Sequence, residues 1–526
     1  MNLFEIVRKN SIKFPEKDAL IIGNLKLSYK EFLKKIIKTI RVFQENKINN
    51  NSTVALIDDN TLSNILSLFA LAYLGSRVIP LSSQYSYNWI TEKFKNVKVE
   101  VLISNSKTAE YLKKKINFKR IISIDRSKNF NYFYDYSNIK DKKLKTSLSN
   151  LDKDFLVVLS SGSTGNPKPI VFSQKTKYLR SQFMQKLYKI KKSDRITLTC
   201  PIEHSLGMRL LFLPFVSGAT CIVMPRFTPG GYFEIVRKFN ATFSILVSNQ
   251  IYQLLEHKNA FNNFYLKTGL VSASSILTDD VKKKIIDKKI KLYEMYGASE
   301  IATATSININ REREKIKSVG RSYNSKIKIR ILSEKNKFLE KGEIGEIVCK
   351  TPLKFKYYLN KKKATKISYF KNYFKTGDIG YLDKQNYLFF LGRKKNIIRR
   401  SGISVYPEDI ENIFLNDRNI TEVAVIGVDR VKNEEIHLFV KKEKISSLWP
   451  LFPGDEPNSD DIRKFEVLGT RSFPAEQAIG NAIEFHKGIG IKRKEERLRY
   501  LKDYWMEKVK GENNIKLYTS FVSPYA

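Results

Sequence analysis

The segment LSSGSTGNPKP, residues 159–169, follows the apolar run FLVVLS and gathers hydroxyls, two glycines and a lysine into one short loop. Gly162 and Gly165 let the backbone turn tightly with its N–H groups inward. Ser160, Ser161, Ser163 and Thr164 add polar atoms, and Lys168 supplies a point charge suited to phosphate oxygens. The GxxxxGK[ST] spacing of the common P-loop is absent, and the following IVFSQ reads as a strand rather than a helix start. Read alone, the same composition also fits a Gly/Ser-rich turn between strands. Further along stand PIEHSLG with His204, YGASE with Tyr296 and Glu300, and TGD with Asp378. A carboxylate such as Glu300 suits a hard cation, and a carboxylate such as Asp378 can accept from two donors at once.

Elements able to hold these residues alternate along the chain. Apolar runs such as TVALID, RVIPL, RITLTC and FSILVS read as strands, and residues 29–46 read as an amphipathic helix. That alternation predicts α/β layers. Beyond Gly320 the strands shorten and turns multiply (KIKIRIL, GEIGEIVC, NYLFFLG), which predicts a small β-rich subdomain. A hinge is expected at residues 392–396.

The chain has 526 residues, enough for at least two domains, and its 42% hydrophobic content is that of a globular protein. Cys200, Cys221 and Cys349 lie singly in apolar runs and read as reduced core residues. No run of about 20 apolar residues is present, so no transmembrane segment is expected and the cytoplasm is the expected location. The net charge is +41, but the lysines are spread among Asn and Ile rather than clustered. Specific nucleic-acid binding is therefore not expected, whereas a positive field favours capture of small polyanions.

The order and spacing of these motifs resemble the adenylate-forming superfamily, which comprises acyl-CoA synthetases, adenylation domains and luciferases. Residues 160–168 match its [ST]SG[ST]TGxPK loop completely. The resemblance runs over about residues 4–443 and implies ATP, Mg²⁺ and either CoA or a phosphopantetheine carrier. It places His204 as a gate between the ATP and acid sites. YGASE resembles YGxTE, so that Tyr296, Gly297 and Ser299 would lie at the nucleotide and Glu300 would hold the metal. Ser272–Ser275 resembles the adenine-side loop, with serines where glycines are usual. TGD would give Asp378 to the ribose, and GRKKNIIRRSGISVYPEDIE resembles the hinge motif, with Arg393 at the ribose and Lys395 at the hinge position. Ser401 and Gly402 would lie in the loop used in the second half-reaction. His204, Lys168 and Glu300 are the residues implied to act in catalysis. The implied activity is an ATP-dependent acid–thiol ligase that makes an acyl-adenylate from a small carboxylic acid and passes it to a thiol. Asn249, Gln250 and residues 298–302 would line the acid pocket. They leave fatty, aryl and amino acids open, with a tilt toward a simple acyl acid.

The pattern then breaks. The family's PxTxxGKxxR-like stretch, which carries the adenylation lysine, is not found after Glu443. Residues 444–526 carry 14 Lys+Arg and 12 Asp+Glu, net +2, against +39 upstream, and hold two of the three tryptophans. Residues of about 447–522 resemble the C-terminal part of class V pyridoxal-phosphate aminotransferases. The Schiff-base lysine of that family would lie upstream of the matching part, so pyridoxal phosphate is not expected.

The expected organisation is an α/β chain with a large multi-layer N-terminal domain and β-rich subdomain at 1–391. A hinge and truncated α+β lid follow at 392–443, and a mainly helical foreign tail at 444–526. Loss of the lid lysine implies impaired adenylation. The alternatives are a catalytically silent nucleotide- or acyl-binding module and a fusion scaffold that partners an aminotransferase.

Overall fold

The computed structural model describes residues 2–95, 97–136, 144, 150–159, 168–257, 260–261, 263–400, 403–414, 420–429 and 434–442. Residues 160–167, Ser401, Gly402 and the whole of 443–526 lie outside the described residues, so the first part of the phosphate loop and the tail do too. The chain divides into two units, Met1–Lys395 and Asn396–Ala526.

In the first unit the continuous apolar runs form buried parallel strands, as expected where helices cover both faces of a sheet. Thr53–Ile57 is buried at every position. It sits in an eight-stranded sheet beside Arg77–Leu81, Asp154–Leu159 and Pro169–Ser173 on one side, and Val101–Ser104 and Arg120–Ser123 on the other. A second eight-stranded sheet runs from Ala302–Asn308 through Leu292–Ala298, Gly269–Ala273, Phe243–Val247, Arg195–Leu198 and Thr220–Val223 to Asp18–Ile22 and Leu25–Ser28.

The helices form where the apolar spacing requires them. Tyr29–Glu45 starts at a capping box, with Glu31 N–H donating to Ser28 Oγ at 3.2 Å and Ser28 N–H to Glu31 Oε2 at 2.8 Å. Its buried stripe includes Phe32, Ile36, Ile40 and Phe43, and Phe32 packs on Phe69 and Phe215 in the main core. The three cysteines are free and buried, as their apolar settings predict. No helix among the described residues is long and apolar enough to cross a membrane.

Past Gly320 the expected β-rich part is present as a five-stranded antiparallel sheet. It is built from Lys328–Leu332, Gly345–Lys350, Tyr373–Leu382, Tyr369–Phe370 and Leu388–Arg393. In the second unit, Ile420–Asp429 pairs antiparallel with Glu434–Lys442, next to the helix Pro407–Phe414. Glu411 on that helix accepts from Val425 N–H at 2.9 Å.

Candidate active site

The strands Asp154–Leu159 and Pro169–Ser173, which flank the phosphate-loop motif in sequence, are antiparallel, with Leu159 opposite Pro169. Lys168 ends that segment with an exposed side chain. Its Nζ lies 5.4 Å from the ring centroid of Tyr358. The Tyr358 hydroxyl donates to Glu300 Oε1 at 2.7 Å. One aromatic side chain therefore joins the loop lysine to the carboxylate of YGASE.

YGASE begins within a strand rather than as a free turn. Leu292–Ala298 and Ala302–Asn308 pair antiparallel, and Gly297 runs so close to Ala302 that a Cβ would stand 1.9 Å from its carbonyl oxygen. Only glycine fits there. The tip of this hairpin is held from below by Arg180, on the helix Gln174–Leu187 and 1% exposed. Its guanidinium donates to three backbone carbonyls: Nε to Leu353 at 2.8 Å, Nη1 to Ser299 at 3.0 Å and Nη2 to Glu300 at 2.8 Å. Burial pushes the Arg180 pKa down to about 9, with the nearby Arg209 adding to the effect. Phe355 N–H donates to the same Glu300 carbonyl at 2.7 Å. A planar fork can fix three carbonyls at once, which a lysine cannot.

TGD lies inside the strand Tyr373–Leu382, where Asp378 is the register partner of Arg393. Arg393 Nη1 lies 2.8 Å from Asp378 Oδ1, and the Tyr296 hydroxyl donates to Oδ2 at 2.6 Å. Asp378 is 1% exposed, and burial raises its pKa while Arg393 opposes the rise. Burial likewise raises the Tyr296 hydroxyl well above its ordinary value, and the Asp378 carboxylate adds to that. Tyr296, Asp378 and Arg393 thus form one contiguous group, and Tyr296 and Glu300 share one hairpin. Lys395 is exposed, in the short 3₁₀ turn Lys394–Asn396 where the first unit ends.

His204 sits at the N-cap of the helix Ser205–Ser217, and its side chain makes no cap bond. The residue is exposed, and partial desolvation lowers the pKa of its ring. Gly207 packs on the preceding loop, where a Cβ would stand 1.9 Å from the Pro201 carbonyl oxygen. That loop is pinned to the other large sheet. Asn60, just past the strand Thr53–Ile57, donates to Cys200 O at 3.1 Å and accepts from Ile202 N–H at 2.9 Å. Glu203 beside His204 is 7% exposed, and burial raises its pKa to about 7, with Asp59 contributing. Asn249 is exposed. Gln250 is occupied locally, accepting from Val247 N–H at 3.1 Å and donating to Thr199 O at 3.3 Å. In the Ser272–Ser275 segment, Ser274 adopts φ 82°, a region that favours the glycine usual there.

Glu300 is half-buried and engages Tyr358 through one oxygen. A magnesium ion that keeps water and phosphate ligands needs only one or two carboxylates, so the residues present fit such an ion. Tyr358, Arg180 and Glu203 were not singled out by the sequence. FKYYLN and QKTKYLRSQF read as an ordinary strand and helix, and nothing local marks Tyr358 or Arg180 as reaching the YGASE turn. Glu203 lies inside the gate motif, which was a usable signal.

The profile of a family described as AMP-binding enzyme matches residues 7–359. The 2-succinylbenzoate–CoA ligase of Bacillus licheniformis is 26% identical over 428 residues, covering 79% of this chain and 84% of that protein. The long-chain-fatty-acid–CoA ligase of Bacillus subtilis is 24% identical, covering 93% and 91%. Among solved structures, the o-succinylbenzoate CoA synthetase of Bacillus subtilis with an acyl-adenylate superposes with TM-score 0.74 at 20% identity, covering 84% of this chain and 88% of that one. With two thirds of its length matched by the family profile and the same fold in solved relatives, the chain belongs to the AMP-binding enzyme family.

Proposed function

We propose that the chain is an ATP-dependent acid–CoA ligase that activates a small carboxylic acid as its acyl-adenylate and passes the acyl group to the thiol of CoA. The observation that carries this reading is the single hairpin bearing both Tyr296, bonded to Asp378, and Glu300, tied through Tyr358 to the phosphate-loop lysine. The CoA-ligase relatives support CoA as acceptor.

In the first step the substrate carboxylate oxygen bonds to the α-phosphorus of ATP as the bond to pyrophosphate breaks. In the second the sulfur of the thiol bonds to the acyl carbon as AMP leaves. Lys168 and the loop N–H groups of residues 160–165 neutralise charge on the phosphates, and fixed dipoles of this kind are worth most where water is excluded. A magnesium ion bound with the nucleotide would add charge neutralisation next to Glu300. Asp378 Oδ2 holds the Tyr296 hydroxyl, while Oδ1 faces Arg393 without a hydrogen bond among the described residues, so both oxygens keep lone pairs for the ribose hydroxyls. His204 is the proposed gate between the nucleotide and the acid. The proposed division is an N-terminal domain over 1–391, a hinge at Lys395 with the lid over 392–443, and a separate segment over 444–526.

A second reading follows from residues 444–526, which lack a PxTxxGKxxR-like stretch and resemble an aminotransferase C-terminal part. In it, adenylation is impaired, and the chain acts on a supplied acyl-adenylate or only binds it. The test supplies a synthetic acyl-adenylate and CoA to the full chain and follows thioester by mass spectrometry. Thioester formation supports the ligase reading; AMP binding without thioester supports the silent module.

A further inference from the structure

The TGD segment is an irregularity in the β-rich sheet. Gly345–Lys350 pairs antiparallel with Tyr373–Leu382, with Ile379 opposite Glu346 and Lys375 opposite Val348. Thr376, Gly377 and Asp378 therefore stand against the single residue Ile347 and bulge out of the ladder. Gly377 takes φ 73°, in the left-handed region that glycine enters without strain. Backbone groups in a bulge lose their ladder partners and need others. Side chains supply them here. Thr376 Oγ1 donates to Ile347 O at 2.7 Å and accepts from Asp378 N–H at 3.1 Å, and Gly377 N–H donates to Glu346 Oε1 at 3.2 Å.

Glu346 is 7% exposed. Its second oxygen, Oε2, lies 3.0 Å from Lys394 Nζ and 4.0 Å from Lys375 Nζ. Lys394 directly follows Arg393, the cross-strand partner of Asp378. One carboxylate thus touches both chain segments that meet at Asp378. The placement is unfavourable for charge alone, because a second buried carboxylate stands close by: burial, with Glu300 and Glu346 nearby, raises the Asp378 pKa. The two lysines offset this only in part, since their side chains are 43% and 28% exposed and solvent screens such pairs. The bond to Gly377 is the contact that shapes the site. A carboxylate accepting from a backbone N–H makes a charge-assisted bond, roughly twice as strong as a neutral one.

We propose that Glu346 is a positioning residue for nucleotide binding, its bond to Gly377 N–H setting the bulge that presents Asp378 to the two ribose hydroxyls. The inference rests on the ligase reading, in which Asp378 receives the ribose. Glu346 acts through the backbone of the bulge rather than on the nucleotide.

The test compares AMP with 2′,3′-dideoxy-AMP, which lacks both hydroxyls, by titration calorimetry on the full chain and its variants. The native chain is expected to bind AMP at least about tenfold more tightly than the dideoxy nucleotide. Glu346→Met keeps the length of the side chain and drops both oxygens. It is expected to narrow that preference to within about threefold and to leave dideoxy-AMP binding unchanged. Glu346→Ala takes its place should it fail to fold. Glu346→Gln keeps an acceptor for Gly377 N–H, and Lys394→Met removes only the ion pair, so both retain the native preference. The inference is overturned if Glu346→Met keeps the preference, if it weakens both nucleotides alike, or if Glu346→Gln or Lys394→Met loses the preference as fully. Equal binding of the two nucleotides by the native chain, or failure of both to bind, overturns the ribose assignment of the ligase reading and the inference with it.

Discussion

The Tyr358 hydroxyl donates to Glu300 Oε1 at 2.7 Å, and the ring of the same residue lies 5.4 Å from Lys168 Nζ. Tyr358 therefore holds the Glu300 carboxylate, the proposed metal ligand, in one orientation while facing the Lys168 ammonium. In Tyr358→Phe the ring stays and the bond to a charged acceptor is lost, worth about 1.5–3 kcal/mol. A half-saturating Mg²⁺ concentration raised about tenfold is expected in nucleotide-binding titrations, with little change at saturating Mg²⁺. An unchanged Mg²⁺ dependence would separate Tyr358 from the metal site.

Asp378 and Arg393 are cross-strand partners as well as an ion pair. Asp378→Asn leaves the shape of the site but loses one acceptor and the charge that faces Arg393. AMP affinity measured by calorimetry should fall by about 10- to 100-fold, or about 1.4–2.7 kcal/mol. Arg393→Ala should cost less, because its side chain is 49% exposed and screened by solvent.

Arg180 ties Leu353, Ser299 and Glu300 together through three carbonyls. Arg180→Lys keeps a cation and cannot reproduce the fork, so buried carbonyls lose their donors at about 1–3 kcal/mol each. Thermal unfolding should move to lower temperature, and the nucleotide-dependent rise in melting temperature should shrink. A variant with native melting temperature and native ligand response would show that the turn is held by other means.

The Glu203 carboxyl is raised from 4.5 to about 7, chiefly by burial. A raised folded-state pKa means that the folded chain holds the proton more tightly than the unfolded chain. The associated stability is full below about pH 4.5, declines as pH rises toward 7 and levels off above it. Glu203→Gln lacks this term. Its stability relative to the native chain should therefore rise between pH 4.5 and pH 8, by at most about 3 kcal/mol in paired denaturant titrations. A pH-independent difference would show that Glu203 titrates normally.

Local pattern carried much of the fold. The runs TVALI and FSILV are strands because β-branched and apolar residues fill both faces of a parallel sheet, and the Tyr29 helix follows its capping box. The motif residues Lys168, Tyr296, Glu300, Asp378 and Arg393 were legible because their order and spacing are informative. Their mutual contacts were not. The Asp378–Arg393 register depends on how Tyr373–Leu382 pairs with Leu388–Arg393, and the contacts of Arg180 and Tyr358 with the YGASE turn span more than 50 residues of chain.

The central claim is that this site activates a carboxylic acid at the α-phosphate of ATP. Carboxylate-dependent ATP–pyrophosphate exchange tests it most directly, run on the native chain and on a chain whose residues after Glu443 are replaced by a complete lid bearing the adenylation lysine. The predicted result is exchange in the lid-restored chain with at least one acid, and weaker or absent exchange in the native chain. Silence of both chains across mono- and dicarboxylic fatty, aryl and amino acids would contradict the claim.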